Sequence, residues 1–278
     1  MPDSRRQRIT ITIREDLLPL VDGLVDGRKI RNRSHAIESV LDKELSSRVK
    51  SALVLAGGEG VKMRPFTYEM PKTMIPLNGK PILEYVVLQL QENGFKNISI
   101  VIGKLGEQIE KHFGNGEKFG VQINYIKEKE PKGTGAAIRL AKGQFEGTFL
   151  VMYGDVLINM NLREFVNFHL KHSAVASAAV TTTDDPTEYG ALRLHGSYIV
   201  EYKEKPKKGK GLSHMVSAGV YVMEPAIFAE MDAHTRSLER DIFPKLVQEK
   251  TLLGYPFDGA WFDISTPENY ERAREEWK

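Results

Sequence analysis

Residues 55–81 read LAGGEGVKMRPFTYEMPKTMIPLNGKP. They follow Ser51-Ala52-Leu53-Val54, a run with the length and composition of a buried strand, and they hold three glycines within four residues, Gly57, Gly58 and Gly60. A glycine loop after a strand lets backbone N–H groups approach an anion closely. Lys62, Arg64 and Lys72 follow within reach, so this stretch, with Leu55 and Ala56 at the strand's end, reads as a polyphosphate cradle whose ligand is a nucleotide. A bare GGxG would equally suit a glycine-rich surface turn with solvated lysines.

Downstream of Ser51, strands alternate with helices, the signal of a doubly wound, mostly parallel α/β sheet. The pattern predicts a helix over Pro81–Asn93, a strand over Asn97–Ile102, a helix over Leu105–Phe113 and a strand over Val121–Ile126. A loop at 130–137, with Gly133 and Thr134, opens another helix. Phe149–Asp155 is an apolar strand ending in Gly-Asp, which puts Asp155 at the carboxyl end of a central strand, where open α/β sheets hold their ligands.

Upstream, Arg8–Ile13 alternates polar and apolar residues, with Ile9, Ile11 and Ile13 on one face and Arg8, Thr10 and Thr12 on the other. A helix is expected over Asp16–Val25, ended by Gly27, and a second from an N-cap at Ser34 to Leu45. The domains are therefore placed at 1–48 and 51–278, with residues 46–50 as the linker. A lone strand needs a partner and so small a unit buries little, so a second copy of the chain must supply both.

Composition bounds the function. An apolar fraction of 41% suits a soluble globular chain, and the sequence has neither a spanning segment nor a secretion signal, so no membrane partner and a cytoplasmic location are expected. With no cysteine, disulfides and thiolate metal sites are excluded, and any metal must use oxygen or imidazole ligands. The net charge of +2 is nearly neutral, and its excess lies at the front, where residues 1–50 carry 11 Lys and Arg against 8 Asp and Glu.

The opening stretch resembles the signature of the sugar-1-phosphate nucleotidyltransferases, GGxGxxxxPxTxxxPKxxxPxxxKP. Gly57, Gly58, Gly60, Pro65, Thr67, Pro71, Lys72, Pro76, Lys80 and Pro81 fall on its positions. The resemblance implies transfer of a nucleotidyl group from a nucleoside triphosphate to a sugar 1-phosphate. Two polyanions must meet there, so a divalent cation, Mg²⁺, is expected. By motif position, Asp155 and the Asp263 of Trp261-Phe262-Asp263-Ile264-Ser265-Thr266-Pro267 are its implied ligands. Lys62, Arg64, Lys72 and Asp155 take the catalytic positions. Leu55, Ala56, Gly57, Gly58, Gly60, Glu128, Gly133 and Thr134 take the nucleotide, and Gly190, Glu204, Lys205 and Ser217 the sugar phosphate. Glu128 and Glu130 stand where relatives that use thymidine or uridine triphosphate commonly present a glutamine, and an acceptor at that place favours guanine.

Three positions depart from the pattern. Lys62 replaces an arginine, Ser265 replaces a glycine and puts the local backbone angle in question, and Ser217 replaces an asparagine with a shorter polar reach. Ser237–Pro244 also matches and is read as a capped, mostly structural helix. No appended acyltransferase domain is expected after residue 278.

Residues 7–47 resemble the ribbon-helix-helix family, whose paired strands enter the DNA major groove. That resemblance implies a homodimer, with Arg8, Thr10 and Thr12 toward bases and Ser34 near a phosphate. Dimerisation without DNA binding is the alternative for this unit. For the whole chain the alternatives are a transcriptional regulator that senses a sugar nucleotide without turnover, and a non-catalytic scaffold.

Overall fold

The computed structural model describes residues 9–45, 49–209 and 213–277. The chain divides into two compact units, residues 1–48 and 49–278.

In the front unit, residues 9–14 carry no strand assignment, since a strand is defined by a ladder and among the described residues of the unit no second strand lies opposite. Thr10 and Thr12 are exposed, and Arg8 lies outside the described residues. A 3₁₀ turn, Glu15–Leu17, leads into α1 (Leu18–Gly23), which ends two residues before the expected Val25. The difference comes from Asp26, whose side chain accepts from the N–H groups of Arg28 and Ile30, both at 2.8 Å, and turns the chain early. The second helix, α2, spans Arg33–Leu45. Its cap is Asn32, whose Oδ1 accepts from the N–H of His35 at 2.9 Å, so Ser34 sits inside the first turn and does not cap it. Arg33 ties the helices together by a bidentate pair with Asp22, at 2.5 and 2.7 Å.

Among the described residues the large unit contains thirteen strands: β1 (Ser51–Ala56), β2 (Pro76–Leu77), β3 (Lys80–Pro81), β4 (Asn97–Ile102), β5 (Gln122–Lys127), β6 (Phe149–Tyr153), β7 (Val156–Ile158), β8 (Ala176–Thr182), β9 (Gly190–His195), β10 (Tyr198–Glu204), β11 (Met215–Met223), β12 (Leu252–Pro256) and β13 (Trp261–Asp263). Its helices are α3 (Ile82–Glu92), α4 (Glu107–Phe113), α5 (Thr134–Arg139), α6 (Leu162–Leu170), α7 (Phe243–Gln248) and α8 (Pro267–Glu276). Nine strands form one sheet in the order β5-β4-β1-β6-β11-β8-β12-β10-β9. The expectation of a mostly parallel sheet holds for one side only. β5, β4, β1 and β6 run parallel, as do β8 and β12, but β11 is antiparallel to both β6 and β8, and β10 to both β12 and β9. For β9 and β10 the cause is local: Gly196 (φ 59°) and Ser197 join them, and a two-residue connection makes only an antiparallel pair.

The apolar run of β1 is buried on both faces, as a central strand requires. Ala52, Val54 and Ala56 pack into one core with α3, α4 and α6, while Leu53 faces the other with α5 and α7. Val49 also lies in the first core, so the linker ends before it and is shorter than the expected 46–50. Among the described residues no helix is long and apolar enough to cross a membrane.

Candidate active site

β1 and β6 are neighbours and parallel, so the glycine loop and Gly154-Asp155 leave the same edge of the sheet, with Leu55 opposite Tyr153. The N–H of Gly154 donates to the Leu55 carbonyl at 2.9 Å and fixes the two loops to each other. A cavity of about 200 Å³ opens between them, lined by Leu55, Ala56, Gly57, Gly58, Lys72, Glu128, Gly133, Thr134, Tyr153 and Asp155 among others. The glycines are needed for different reasons. A Cβ on Gly57 would lie 2.8 Å from Oε2 of Glu128, whereas Gly60 (φ 60°) has Thr67 and Lys72 side-chain atoms at 2.8 and 2.9 Å. Thr67 donates to the Gly60 carbonyl at 2.9 Å, which gives that motif residue a structural role.

Glu128 is buried in this cavity and accepts from the N–H of Lys132 at 3.2 Å, whereas Glu130 is exposed and paired with Lys132. Burial raises the Glu128 pKa above its ordinary value, against the Lys132 hydrogen bond. Of the two carboxylates expected near a base, only Glu128 lines the cavity. Gly133 (φ 107°) presses against a backbone carbonyl, with its would-be Cβ 2.6 Å from the Arg236 oxygen. Thr134 lines the cavity, but its hydroxyl donates to Glu239 at 2.7 Å and accepts from the N–H of Leu238 at 3.0 Å. Its side chain is therefore occupied, which the sequence reading did not foresee.

Asp155 and Asp263 come together through a separate two-stranded ribbon. β13 pairs antiparallel with β7, placing Asp263 opposite Val156, and the N–H of Ile264 donates to the Asp155 carbonyl at 2.9 Å. Lys72 donates to Oδ2 of Asp155, and both side chains are largely buried. Burial acts most strongly on Lys72 and disfavours its charge, but Asp155, by charge and hydrogen bond, and Asp263 outweigh it, so its pKa stands above the ordinary lysine value. Burial and then the Asp155 charge push Asp263 up to about 6, opposed by Lys72, a hydrogen bond from Ser265 and Lys205. Ser265 thus supports the carboxylate, and its φ is not positive, which resolves the question of backbone angle raised by the missing glycine.

This oxygen donor set fits Mg²⁺. Two crowded carboxylates favour a cation between them, and among the described residues no group of three or more His, Cys, Asp or Glu could hold a metal by itself.

A second cavity, of about 290 Å³, shares Thr134, Tyr153 and Asp155 with the first and is lined further by Gly190, Glu204, Lys205, Ser217, Glu239 and Asp263. Gly190 is obligatory, because a Cβ there would lie 1.8 Å from the Tyr202 hydroxyl. Gly219 (φ 75°), at an irregularity in β11 between Ser217 and Tyr221, leaves room for the Tyr153 ring, 3.1 Å from its would-be Cβ. Ser217 donates to the Tyr221 hydroxyl at 2.9 Å, so its short polar arm is already engaged.

Two expected cations are placed differently from the sequence reading. Lys62 lines the second cavity and pairs with Glu188 at 2.6 Å. Arg64 lies over the Tyr68 ring, 5.1 Å from its centroid, outside the residues lining either cavity. Glu239 and Tyr153 are the site residues that sequence reasoning missed. Glu239 fell in a segment assigned to structure, and no local signal joins it to a tyrosine 86 residues away.

Burial, followed by the Glu239 charge, pushes Glu204 up to about 7, against Lys205 and Arg240. The folded chain then holds a proton that the unfolded chain releases, so this residue's contribution to stability falls as pH rises from about 4.5 to about 7 and levels off above that. Glu204→Gln removes the penalty of the buried charge. Its melting temperature should exceed the parent's by a larger margin near pH 8 than near pH 5, and equal margins at both would contradict the raised pKa.

The nucleotidyl transferase family profile matches residues 51–278. The chain is 30% identical over 225 residues to mannose-1-phosphate guanylyltransferase catalytic subunit beta of Xenopus tropicalis, covering 79% of this chain and 62% of the relative. It is 32% identical over 227 residues to D-glycero-alpha-D-manno-heptose 1-phosphate guanylyltransferase of Aneurinibacillus thermoaerophilus, covering 81% of this chain and 97% of the relative. It thus spans about three fifths of the first relative's length. Among solved structures, UDP-glucose pyrophosphorylase complexed with UDP-glucose shares the fold, with a TM-score of 0.72, 23% identity, and coverage of 82% of this chain and 98% of that one.

Proposed function

The chain belongs to the nucleotidyl transferase family, and on that premise we propose that it transfers a nucleotidyl group from a nucleoside triphosphate to a sugar 1-phosphate. The observation that carries this reading is the pair of cavities sharing Asp155, Tyr153 and Thr134, one beside the glycine loop and the other beside Glu204 and Lys205. In the reaction a sugar-phosphate oxygen attacks the α-phosphorus, the bond from that phosphorus to the bridging oxygen breaks, and pyrophosphate leaves with the electron pair. The glycine loop supplies backbone donors to the triphosphate. Lys205 is a point charge for the sugar phosphate, and Glu204 accepts or donates toward sugar hydroxyls according to its protonation. Lys72 pairs with Asp155 and would turn to phosphate when substrate enters. Mg²⁺ between Asp155 and Asp263 would supply charge neutralisation where the two anions meet.

GTP is the proposed donor. Glu128 lines the nucleotide cavity and its free oxygen accepts, which suits the adjacent N1–H and N2–H₂ of guanine better than the single donor of uracil or thymine. The guanylyltransferase names of two relatives support the same choice. Pyrophosphate release measured across GTP, UTP, dTTP, CTP and ATP with a panel of sugar 1-phosphates should select GTP. A preference for UTP or dTTP would overturn the base assignment, and no release with any pair would overturn the transfer itself.

The front unit is proposed to make the chain a homodimer, supported by the apolar side chains that it leaves exposed. DNA is its proposed second partner, through exposed Thr10 and Thr12 together with Arg8 and Ser34. An anisotropy titration at low salt with fragments of the chain's own upstream region tests this, and binding insensitive to Arg8→Ala would exclude groove reading by this face.

A further inference from the structure

Glu239 is a carboxylate at 9% exposure, and no cation pairs with it among the described residues. It accepts instead from three hydroxyls: Thr134 at 2.7 Å and Ser237 at 2.8 Å on Oε2, and Tyr153 on Oε1. A buried ionised group is costly unless hydrogen bonds satisfy it, and here the donors come from three separate places in the chain. Thr134 opens α5, Ser237 caps the π-helical turn Leu238–Ile242 that carries Glu239, and Tyr153 ends β6 two residues before Asp155. Such π-turns recur at functional sites.

The three contacts differ in what else supports them. The 133–135 turn is held without Glu239, because the N–H groups of Gly135 and Ala136 donate to the Arg236 carbonyl at 2.8 and 3.2 Å. Tyr153 has Glu239 and the Tyr221 hydroxyl as its side-chain partners. Its ring is the wall common to both cavities, set between the space left by Gly219 and the edge of Tyr221, with ring centroids 5.8 Å apart. Glu239 also lines the second cavity, where its charge bears on Glu204.

We propose that Glu239 is a positioning residue for the sugar-phosphate side of the site: by accepting from Tyr153 it fixes the wall between the cavities and the turn that presents Asp155. The inference rests on the nucleotidyl-transfer reading above. Glu239→Gln keeps the volume but turns one acceptor oxygen into a donor, which must face the hydroxyl of Tyr153 or those of Thr134 and Ser237.

Kinetics with GTP and mannose 1-phosphate, or with whichever pair the substrate panel selects, read the effect. In E239Q, kcat should fall about tenfold or more and the sugar-phosphate KM rise about fivefold, while the triphosphate KM stays within about threefold of the parent's. Tyr153→Phe should show the same split at smaller size, and the double variant should be no worse than E239Q alone, as expected for two ends of one hydrogen bond. E239Q within about twofold of the parent in every constant, equal losses in both KM values, or additive variants would each overturn the proposal. If E239Q does not fold, the split in Y153F decides, and its absence is equally fatal.

Calorimetric binding of GDP-mannose, or of the selected pair's product, separates this inference from its premise. A parent that binds the product without releasing pyrophosphate refutes transfer, yet E239Q must still bind about fivefold more weakly for the positioning role to stand. A parent that neither binds nor turns over any pair refutes both.

Discussion

Asp155→Asn should lower pyrophosphate release by at least ~100-fold while leaving the fold intact, since preorganised charge is where such sites gain most of their rate. The structural reason for an intact fold is that Asp155 holds its place through the backbone. Its carbonyl accepts from Ile264, and the neighbouring Gly154 donates to Leu55, neither of which involves the side chain. The reason for lost turnover is that an asparagine keeps an oxygen but removes the charge, which would leave Asp263 as the single anionic ligand for the proposed Mg²⁺. Asp263→Asn should behave alike, and because the two carboxylates act as one unit, the double variant should lose little more than either alone. Steady-state rates at saturating Mg²⁺, with melting temperatures as the control, check this. Turnover within about tenfold of the parent would show that Asp155 does not hold the charge the reaction needs.

Removing residues 1–48 should convert a dimer into a monomer and leave turnover within about threefold of the parent's, as expected when no group that touches substrate has been lost. Among residues 9–41 of the front unit, only Ala36 is buried. Ile9 and Leu20 are each 67% exposed, and Ile11, Leu24, Val40 and Leu41 stand between 41% and 48%. Burying one such side chain fully is worth about 1.5–3 kcal/mol, so a second copy that covers several of them offsets the cost of association, which a unit with one buried alanine cannot do within itself. The cut belongs after residue 48, because Val49 is packed in the core of the large unit. Sedimentation or light scattering of the full chain and of residues 49–278 decides it. A monomeric full chain would refute the dimer, and a dimer that survives truncation would assign the association elsewhere.

The site was legible in the sequence wherever the chemistry is local. The glycine loop after β1, Asp155 just beyond β6, and the helix and strand at 82–92 and 97–102 all depend on spacing within one stretch, and the structure keeps them within a residue or so. Departures arose where an unanticipated short-range bond competes, as with Asn32 capping α2 in place of Ser34 and Asp26 ending the turn after α1. The strand expected at Arg8–Ile13 is a further case, for a strand belongs to a pair and periodicity marks only its faces.

The sequence by itself determined a nucleotide-type glycine loop at the edge of an α/β sheet, with the carboxylates and lysines from which a phosphate-transfer site can be made. Only the tertiary structure decided which of these meet. The β7–β13 ribbon brings Asp263 to Asp155 across more than a hundred residues, Lys62 goes to Glu188 and Arg64 to Tyr68, and Glu239 adds to its neighbour Ser237 the hydroxyls of Thr134 and Tyr153 from distant elements. The physical reason is that backbone propensity and hydrophobic period act over a few residues, whereas a buried polar group takes its partner from whatever the packed sheet sets within about 3 Å of it.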